Sequence, residues 1–290
     1  MRADIPMSRA SNDRIGLSGG LTLEARRFRG GPKTPALCLP GLTRNARDFD
    51  DFAPWLAGTG RDVVVLSLRG RGGSDYDPDY LNYHPSTYVG DVIEALDGFA
   101  IARAAFVGTS LGGIVTMLTS ERAPARLAAA IINDVGPELA PEGIARIAGY
   151  AGAARPDAAD LDEAAAQIRA INEVAFPGRD AAFWRLFATR TFRQRADGRW
   201  SLDYDQAIGK ALVDVGPAPD LWPAFASLKN KPTLVVRGAL SDLLTPPILE
   251  KMRAAHPGFA LCEVADTGHA PTLSEPEAQA AILDLIETLD

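Results

Sequence analysis

The chain has 290 residues, of which 47% are hydrophobic and 23% are charged, and this balance excludes a disordered chain or a coiled coil. Its 30 Lys and Arg residues against 37 Asp and Glu residues give a net charge of −7, so no net positive field attracts nucleic acid or an anionic membrane. The two cysteines, Cys38 and Cys262, lie in apolar runs and are predicted to be buried thiols.

Short apolar runs alternate with helix-like segments along most of the chain, which predicts an α/β fold with a mostly parallel central sheet and helices on both faces. The predicted strands are DRIGLSG and LTLEARRF as an antiparallel start, then 35–39, 62–68, 104–108, 127–133, 232–238 and 259–264. The predicted helices are 46–58, 86–100, 111–122, 245–255 and 275–289. Ser274 and Glu277 form a predicted capping box at the start of the last helix.

One interval lacks a convincing buried strand and contains helix-like stretches rich in Ala and charge. We predict that residues 137–220 form a helical cap, inserted between strands 6 and 7 of a core made of residues 1–136 and 221–290. Turn signals mark its two ends, Gly136-Pro137 at the entry and 216–219 at the exit. The alternative is that these helices form an extra layer on the sheet.

A G-x-S-x-G motif, Gly108 to Gly112, follows a strand-like run and begins a helix-like one. Glycines two residues either side of Ser110 let a tight turn form without Cβ clashes, and this turn exposes the hydroxyl above the sheet. The motif therefore predicts Ser110 as a nucleophile. A glycine-rich turn that merely packs a helix against a strand is the alternative.

A serine hydroxyl is a weak nucleophile and needs a base, and His269 follows a strand-like run in ADTGHAP. The base in turn needs a carboxylate at the end of another strand to orient it. We predict Asp242, which lies between Ser110 and His269 in the chain, in the order Ser, Asp, His typical of G-x-S-x-G hydrolases. Asp134, just past the strand-like run 127–133, is the competing candidate.

The tetrahedral intermediate of acyl transfer carries a negative oxygen that needs preorganised donors. The backbone N–H of Leu111, directly after the nucleophile, is one predicted donor, and the N–H of Leu42, after Gly41, is the other. Arg44 and Asn45 follow at the rim, where they are predicted to bind a polar or anionic part of the substrate. Simple solvation of these two side chains is the alternative.

Five segments carry a resemblance to the α/β-hydrolase superfamily over nearly the whole chain outside the cap. PGLTRNARDF resembles its oxyanion loop, LRGRGGSD the segment after its fourth strand, GTSLGG its elbow, and GALSD and TGHAP its acid and base loops. The resemblance implies an α/β-hydrolase fold and hydrolytic activity. Many members carry His-Gly where this chain has Pro40-Gly41. In this chain the fixed φ of proline therefore has to replace any support that the histidine gives to the oxyanion loop.

Other sites and partners are not indicated. Gly70 to Asp75 lacks the last glycine of a dinucleotide fingerprint, and the cysteines and histidines show no zinc-type spacing, so no cofactor or metal is expected. No run resembles a signal peptide or approaches the roughly 18 apolar residues of a membrane span, which predicts a cytoplasmic protein. The oligomeric state is left open.

The predicted cap has aromatic residues that are candidates to contact a small-molecule acyl substrate: Tyr150, Phe176, Phe183, Trp184 and Phe187. The leading hypothesis is a serine esterase or lactonase with an acyl-Ser110 intermediate. Carbon–carbon bond hydrolysis of a diketone-like compound is a second hypothesis, although Ala270 stands where such enzymes tend to carry an aromatic residue. Cofactor-free perhydrolysis and a non-catalytic ligand receptor are further alternatives.

Overall fold

A central sheet organises the computed structural model, which describes residues 10–153, 155–214 and 219–290. The strands of this described part are β1 (Ala10–Gly16), β2 (Thr22–Leu39), β3 (Arg61–Leu66), β4 (Ala104–Thr109), β5 (Leu127–Asn133), β6 (Phe192–Gln194), β7 (Trp200–Leu202), β8 (Thr233–Gly238) and β9 (Ala260–Val264). The helices are α1 (Phe52–Ala57), α2 (Pro85–Gly98), α3 (Leu111–Arg122), α4 (Pro141–Ala151), α5 (Leu161–Asn172), α6 (Ala181–Thr191), α7 (Ala207–Asp214), α8 (Trp222–Ala226), α9 (Pro246–Ala255) and α10 (Pro276–Ile286).

Seven strands form the central sheet, in the order β1-β2-β4-β5-β8-β9 with β3 paired to β2. β1 pairs antiparallel with β2, whereas β2, β4, β5, β8 and β9 pair with one another in parallel. The predicted fold class, a mostly parallel sheet with helices on both faces, is therefore confirmed. Because parallel neighbours end at the same edge, the loops after β4, β5, β8 and β9 lie side by side.

β2 joins two runs that the sequence predicts as separate strands. Residues 25–28 pair with residues 66–63 of β3 in antiparallel register. After an irregular stretch, residues 36–38 pair with 63–65, so the partner numbers now rise with the chain. The two halves of β2 thus lie on either side of β3, and both predicted strands exist as hydrogen-bonded segments.

Two apolar layers cover the sheet and explain its unbroken apolar runs. One layer contains side chains from α2, α3, α8 and α9, and the other contains side chains from α1 and α10. Consecutive residues of β5 face opposite layers, with Ile131 on the α1/α10 side and Ile132 on the other. Full burial of such a side chain contributes about 1.5–3 kcal/mol relative to exposure. Cys38 and Cys262 are buried and free, as predicted.

The last helix begins one residue later than predicted and without the predicted capping box. Glu275 is the residue before α10, and its side chain makes no capping hydrogen bond. Its carboxylate instead accepts hydrogen bonds from the backbone N–H and the hydroxyl of Thr272, at 2.9 and 2.8 Å. The Ser274 and Glu277 capping box is therefore wrong, because a competing local turn holds the start of this helix.

Between β5 and β8 the described residues form α4 to α8 and a small hairpin of β6 with β7. The hairpin was not predicted, since each of its strands has only three residues. A separate apolar cluster fills this segment, including Phe176, Trp184 and Phe192. Its predicted exit turn lies, except for Pro219, outside the described residues. None of the described helices combines the length and hydrophobicity needed to cross a bilayer.

Candidate active site

Ser110 occupies a sharp turn between β4 and α3. Its backbone has φ 53° and ψ −114°, in a region that residues with a Cβ seldom adopt. The Ser110 N–H donates to the carbonyl of Asn133 at the end of β5, and its own carbonyl accepts from the N–H of Gly113 at 2.8 Å. These bonds hold the strained turn, so the hydroxyl projects at the carboxyl edge of the sheet.

The motif glycines permit this turn because neighbouring backbone leaves no room for a side chain. A Cβ on Gly112 would lie 2.0 Å from the carbonyl oxygen of Leu39, and a Cβ on Gly108 would lie 2.3 Å from the carbonyl oxygen of Gly112. Both obstacles are main-chain atoms, which cannot rotate away. The elbow geometry predicted from the sequence is therefore present in the fold.

Gly112→Ala is expected to lower the free energy of unfolding by about 2–3 kcal/mol, because the added methyl group forces α3 away from β2. Gly90→Ala is the matched control. Gly90 lies inside α2 with no atom within 4 Å of an added Cβ, so this change should stabilise the protein by about 0.5–1 kcal/mol. Urea unfolding of the two variants gives the comparison, and equal stability of Gly112→Ala and wild type would contradict the close contact.

His269 lies between the nucleophile and a carboxylate. Its Nε2 is 2.9 Å from Ser110 Oγ, and its Nδ1 is 2.8 Å from Asp134 Oδ2. The His269 side chain is 7% exposed and that of Asp134 is fully buried. The three groups form a continuous hydrogen-bonded chain, the arrangement in which an imidazole can take the proton of a serine hydroxyl.

Asp134 is held by donors from the end of β8 and from the loop that follows it. The Gly238 N–H donates to its Oδ1 at 2.8 Å, and the Ser241 hydroxyl donates to its Oδ2 at 2.6 Å. A fully buried carboxylate is costly unless donors surround it, and here His269, Gly238 and Ser241 supply them. The site of the acid is thus built jointly by the ends of β5 and β8.

Asp242 does not contact His269, and this corrects the prediction of the acid. Its carboxylate forms a two-point ion pair with Arg146 of α4, with Nε–Oδ2 at 2.6 Å and Nη2–Oδ1 at 2.8 Å. The hydrogen bonds and charge of Arg146 lower the pKa of Asp242. The loop after β8 turns so that Ser241 faces the buried site while Asp242 faces the helix.

Asn133 ties the base loop to the elbow. Its Nδ2 donates to the Thr109 hydroxyl at 3.0 Å and to the carbonyl oxygen of Pro271 at 2.8 Å. Pro271 is two residues after His269, so one buried side chain fixes the spacing between the two loops. The sequence analysis missed this residue, although it directly precedes the Asp134 that was considered.

The predicted oxyanion loop lies against the nucleophile. A Cβ built on Gly41 would be 3.7 Å from the Cβ of Ser110, which places Gly41 beside the elbow. Arg71, a fully buried side chain from LRGRGGSD, donates from Nε to the carbonyl oxygen of Leu42 at 2.8 Å. This guanidinium also donates to the Tyr88 hydroxyl at 2.9 Å. The loop is therefore braced by an arginine that the sequence analysis had not singled out.

A cavity of about 140 Å³ lies beside Ser110 and His269. Its size is close to that of an engineered protein cavity that holds a benzene molecule, roughly 150 Å³. Most of its wall comes from the segment between β5 and β8, including Ile147, Tyr150, Arg155, Ile168, Ile171, Asn172, Phe176, Phe183, Leu186, Phe187 and Tyr204. A mostly apolar chamber over the hydroxyl fits a small organic compound.

Of the seven predicted substrate contacts, five line the cavity: Arg44, Tyr150, Phe176, Phe183 and Phe187. Asn45 is buried away from it, where its amide donates to the Arg190 carbonyl at 3.0 Å and to Asp203 at 3.2 Å. Trp184 is 2% exposed and packs in the apolar cluster of the α5/α6 segment. Both residues therefore hold the structure together rather than line the cavity, and these two predictions are wrong.

The remaining titratable residues of interest lie elsewhere. His84 precedes α2 and accepts a hydrogen bond from the Ser86 N–H at 3.2 Å. His256 ends α9 and packs between Phe225 and Phe259. Within the described ranges, no group of three or more His, Cys, Asp and Glu side chains is arranged to hold a metal ion.

Known proteins share this architecture. Residues 36–282 match the Alpha/beta hydrolase family. An α/β hydrolase of known structure from Novosphingobium aromaticivorans is 42% identical, with a TM-score of 0.90, over 97% of this chain and 99% of that one. A 3-hydroxybutyrate-oligomer hydrolase from Cupriavidus necator is 34% identical over 87% of this chain and 88% of its own. A 2-(acetamidomethylene)succinate hydrolase from Mesorhizobium japonicum is 25% identical over 96% of this chain and 95% of its own.

Proposed function

Because the chain belongs to the alpha/beta hydrolase family, we propose that it is a serine hydrolase that cleaves a small carboxylic ester through an acyl-Ser110 intermediate. The observation that carries this proposal is the hydrogen-bonded chain from Ser110 Oγ through His269 to the buried Asp134. Asp134, in place of Asp242, is the acid of the proposed mechanism. Hydrolysis of a carboxylic ester is the reaction that this set of groups performs with no further component.

In the first step, His269 Nε2 takes the proton of Ser110 as Oγ attacks the ester carbonyl carbon. Asp134 keeps the other imidazole proton on Nδ1 and stabilises the imidazolium that forms. The imidazolium then protonates the leaving alkoxide, the carbon–oxygen bond breaks, and the alcohol departs. The product of this step is an acyl-serine ester.

The second step reverses the roles of the groups. His269 removes a proton from water, the resulting hydroxide attacks the acyl carbon, and Ser110 leaves with the proton. In both steps the negative oxygen needs donors, and we assign the N–H groups of Leu42 and Leu111 to it. The position of Gly41 against Ser110 and the hydrogen bond from Arg71 to the Leu42 carbonyl support this assignment.

We propose residues 137–220 as a cap that selects the substrate, because most of the cavity wall comes from this segment. The volume of the cavity and its apolar wall favour a short acyl chain over a polymer. The similarity to the 3-hydroxybutyrate-oligomer hydrolase points to a narrower substrate class, namely esters between two short hydroxy acids. Such a compound has a short hydroxyacyl part on one side of its ester bond and a free carboxylate on the other.

A substrate panel grouped by bond type tests the proposal. It contains short-chain nitrophenyl esters, a 3-hydroxybutyrate dimer, lactones and a vinylogous diketone. We expect turnover of the esters, and mass spectrometry should find a serine-directed phosphonate on the peptide that contains Ser110. Turnover of the diketone alone would favour carbon–carbon bond hydrolysis. A folded protein that shows neither labelling nor turnover would favour a non-catalytic receptor.

A further inference from the structure

Three arginines line the cavity, and two of them are neutralised by carboxylates. Arg44 Nε donates to both carboxylate oxygens of Asp48, at 2.9 and 2.8 Å. Arg190 Nη2 donates to Asp51 at 2.7 Å. The guanidinium of Arg44 also lies over the ring of Phe187, with its Cζ atom 4.1 Å from the ring centroid. These two side chains are therefore occupied by structural contacts.

Arg155 is the third arginine, and it has no such partner among the described residues. Its Nε is buried without a hydrogen-bond acceptor. The nearest carboxylate in the sequence, Asp157, is taken by Arg195 at 2.8 Å. Asp48 is the single carboxylate among the described residues that line the cavity, and Arg44 occupies it. The charge of Arg155 is therefore left uncompensated beside the proposed reaction site.

A buried guanidinium N–H without an acceptor is costly, and that of the half-buried Arg155 points to an anion that binds there. The cavity wall that contains Arg155 also contains the neutral polar side chains of Tyr150, Tyr204 and Asn172 and isoleucines from α4 and α5. A planar guanidinium matches the two oxygens of a carboxylate. The long, flexible side chain can also follow carboxylates at somewhat different distances from the ester bond.

We propose that Arg155 binds a free carboxylate of the substrate, so that the enzyme prefers esters which carry an acid group over equally large neutral esters. This inference rests on the proposed ester hydrolysis at Ser110, and it narrows the substrate to a class. An ester between two hydroxy acids satisfies it, because one end of the molecule is always a free acid. The acid group itself does not react, and only the ester carbon–oxygen bond breaks.

With this preference, the enzyme would hydrolyse short oligomers that end in a free acid faster than neutral lipids and alkyl esters. Apolar walls alone discriminate by size, by about 10- to 200-fold for each methylene group, and they do not recognise charge. A guanidinium without a partner discriminates by charge instead, because a neutral ester leaves it unpaired. Arg155 is thus assigned as a specificity-determining residue.

Two matched substrates test the assignment, 3-(butanoyloxy)butanoate and its neutral amide, 3-(butanoyloxy)butanamide. Release of butanoate is measured for wild type, Arg155→Met, Arg155→Lys and the control Arg185→Met. Arg185 lies on α6, is 48% exposed and is absent from the described cavity wall, so its substitution removes the same charge elsewhere. Each variant is also titrated in a Ser110→Ala background by calorimetry, which measures binding without turnover.

We expect wild type to favour the acid over the amide in kcat/KM by at least about tenfold. Arg155→Met should lower kcat/KM for the acid by about 10- to 100-fold, mostly through KM, and change the amide value by less than about threefold. Arg155→Lys should keep part of the preference, because it retains the charge without the two-point geometry. Arg185→Met should behave as wild type with both substrates.

Thermal unfolding separates a binding role from a structural role. If Arg155 serves to bind a ligand, Arg155→Met should be at least as stable as wild type, because the substitution removes an unpaired charge. The acid should raise the Tm of wild type and not that of Arg155→Met. Equal loss of activity toward both substrates together with a lower Tm would overturn the inference and indicate a structural arginine.

Failure of the inference and failure of the proposed function give different results. Turnover of acid and amide at equal rates overturns the role of Arg155 and leaves the esterase proposal intact. Absence of turnover with tight binding of the acid, lost on Arg155→Met, overturns the esterase proposal and leaves the carboxylate site. Equal binding of acid and amide in the Ser110→Ala background overturns the carboxylate site whatever the turnover.

Discussion

Ser110→Ala is expected to lower kcat for ester hydrolysis by roughly 10⁴- to 10⁶-fold, because the acyl-enzyme route requires the serine oxygen. Water would then have to attack the ester directly, helped only by the two oxyanion donors and by binding. KM should change little, since the hydroxyl contributes little to binding of the intact ester. The variant should also lose all labelling by a serine-directed phosphonate.

The fold should survive this substitution. Alanine has the same Cβ as serine, so it meets the positive φ at residue 110 with similar strain, and the backbone bonds to Asn133 and Gly113 remain. Ser86→Ala is the control, because Ser86 is an exposed residue at the start of α2 and is absent from the described cavity wall. Kinetics, phosphonate labelling and thermal unfolding are compared for both variants. Residual activity within about 100-fold of wild type would place the nucleophile elsewhere.

The elbow could be predicted from the sequence because its determinants are local. Gly108, Ser110 and Gly112 lie within one strand-turn-helix unit, and the clash that excludes a side chain at Gly108 is with the backbone of Gly112 in the same unit. The base was similarly accessible, since His269 follows the last strand and parallel strands end at one edge. Both placements follow from the α/β pattern, and no knowledge of side-chain packing is needed.

The acid could not be chosen in this way. Asp134 and Asp242 both follow parallel strands that end at the same edge, so topology brings either one near His269. The choice depends on how the loop after β8 turns and on the presence of Arg146, which comes from another segment and takes Asp242. Such a long-range pairing leaves no periodic signal in the sequence.

The cavity contacts show the same limit. Phe183 and Phe187 are four residues apart and both line the cavity, whereas Trp184, one residue after Phe183, is buried in the apolar cluster. Helical spacing therefore separates the two faces of α6 correctly. It cannot tell which face borders the cavity, because both faces are apolar. Arg155 escaped notice for a related reason, since only the surrounding contacts distinguish an unpaired arginine from a paired one.

Asp134→Asn is expected to lower kcat by about 10⁴-fold. In the wild type, the carboxylate accepts the Nδ1 proton of His269 and leaves Nε2 free to accept from Ser110. The Gly238 N–H donates to Oδ1, whereas the Ser241 hydroxyl and His269 both contact Oδ2. An asparagine oxygen that stays with the fixed Gly238 N–H places its NH₂ group at the Oδ2 position, where the Ser241 hydroxyl can rotate to accept and where His269 must also accept, which favours the imidazole proton on Nε2. A base that already carries its proton on that side cannot take another from serine.

Asp242→Asn is the matched control, because it removes the same charge from the next strand along the sheet. It weakens the ion pair with Arg146 and should change kcat by less than about threefold. Steady-state kinetics of the two variants with one ester, together with thermal unfolding, gives the comparison. A large loss in Asp242→Asn with near-normal Asp134→Asn would return the acid role to residue 242, and the loop after β8 would then have to rearrange when substrate binds. Equal large losses in both variants would show that Asp242 also affects the base. In that case, removal of the Asp242 charge would leave the positive charge of Arg146 to act on the imidazole of His269, and both carboxylates would be needed to stabilise the imidazolium.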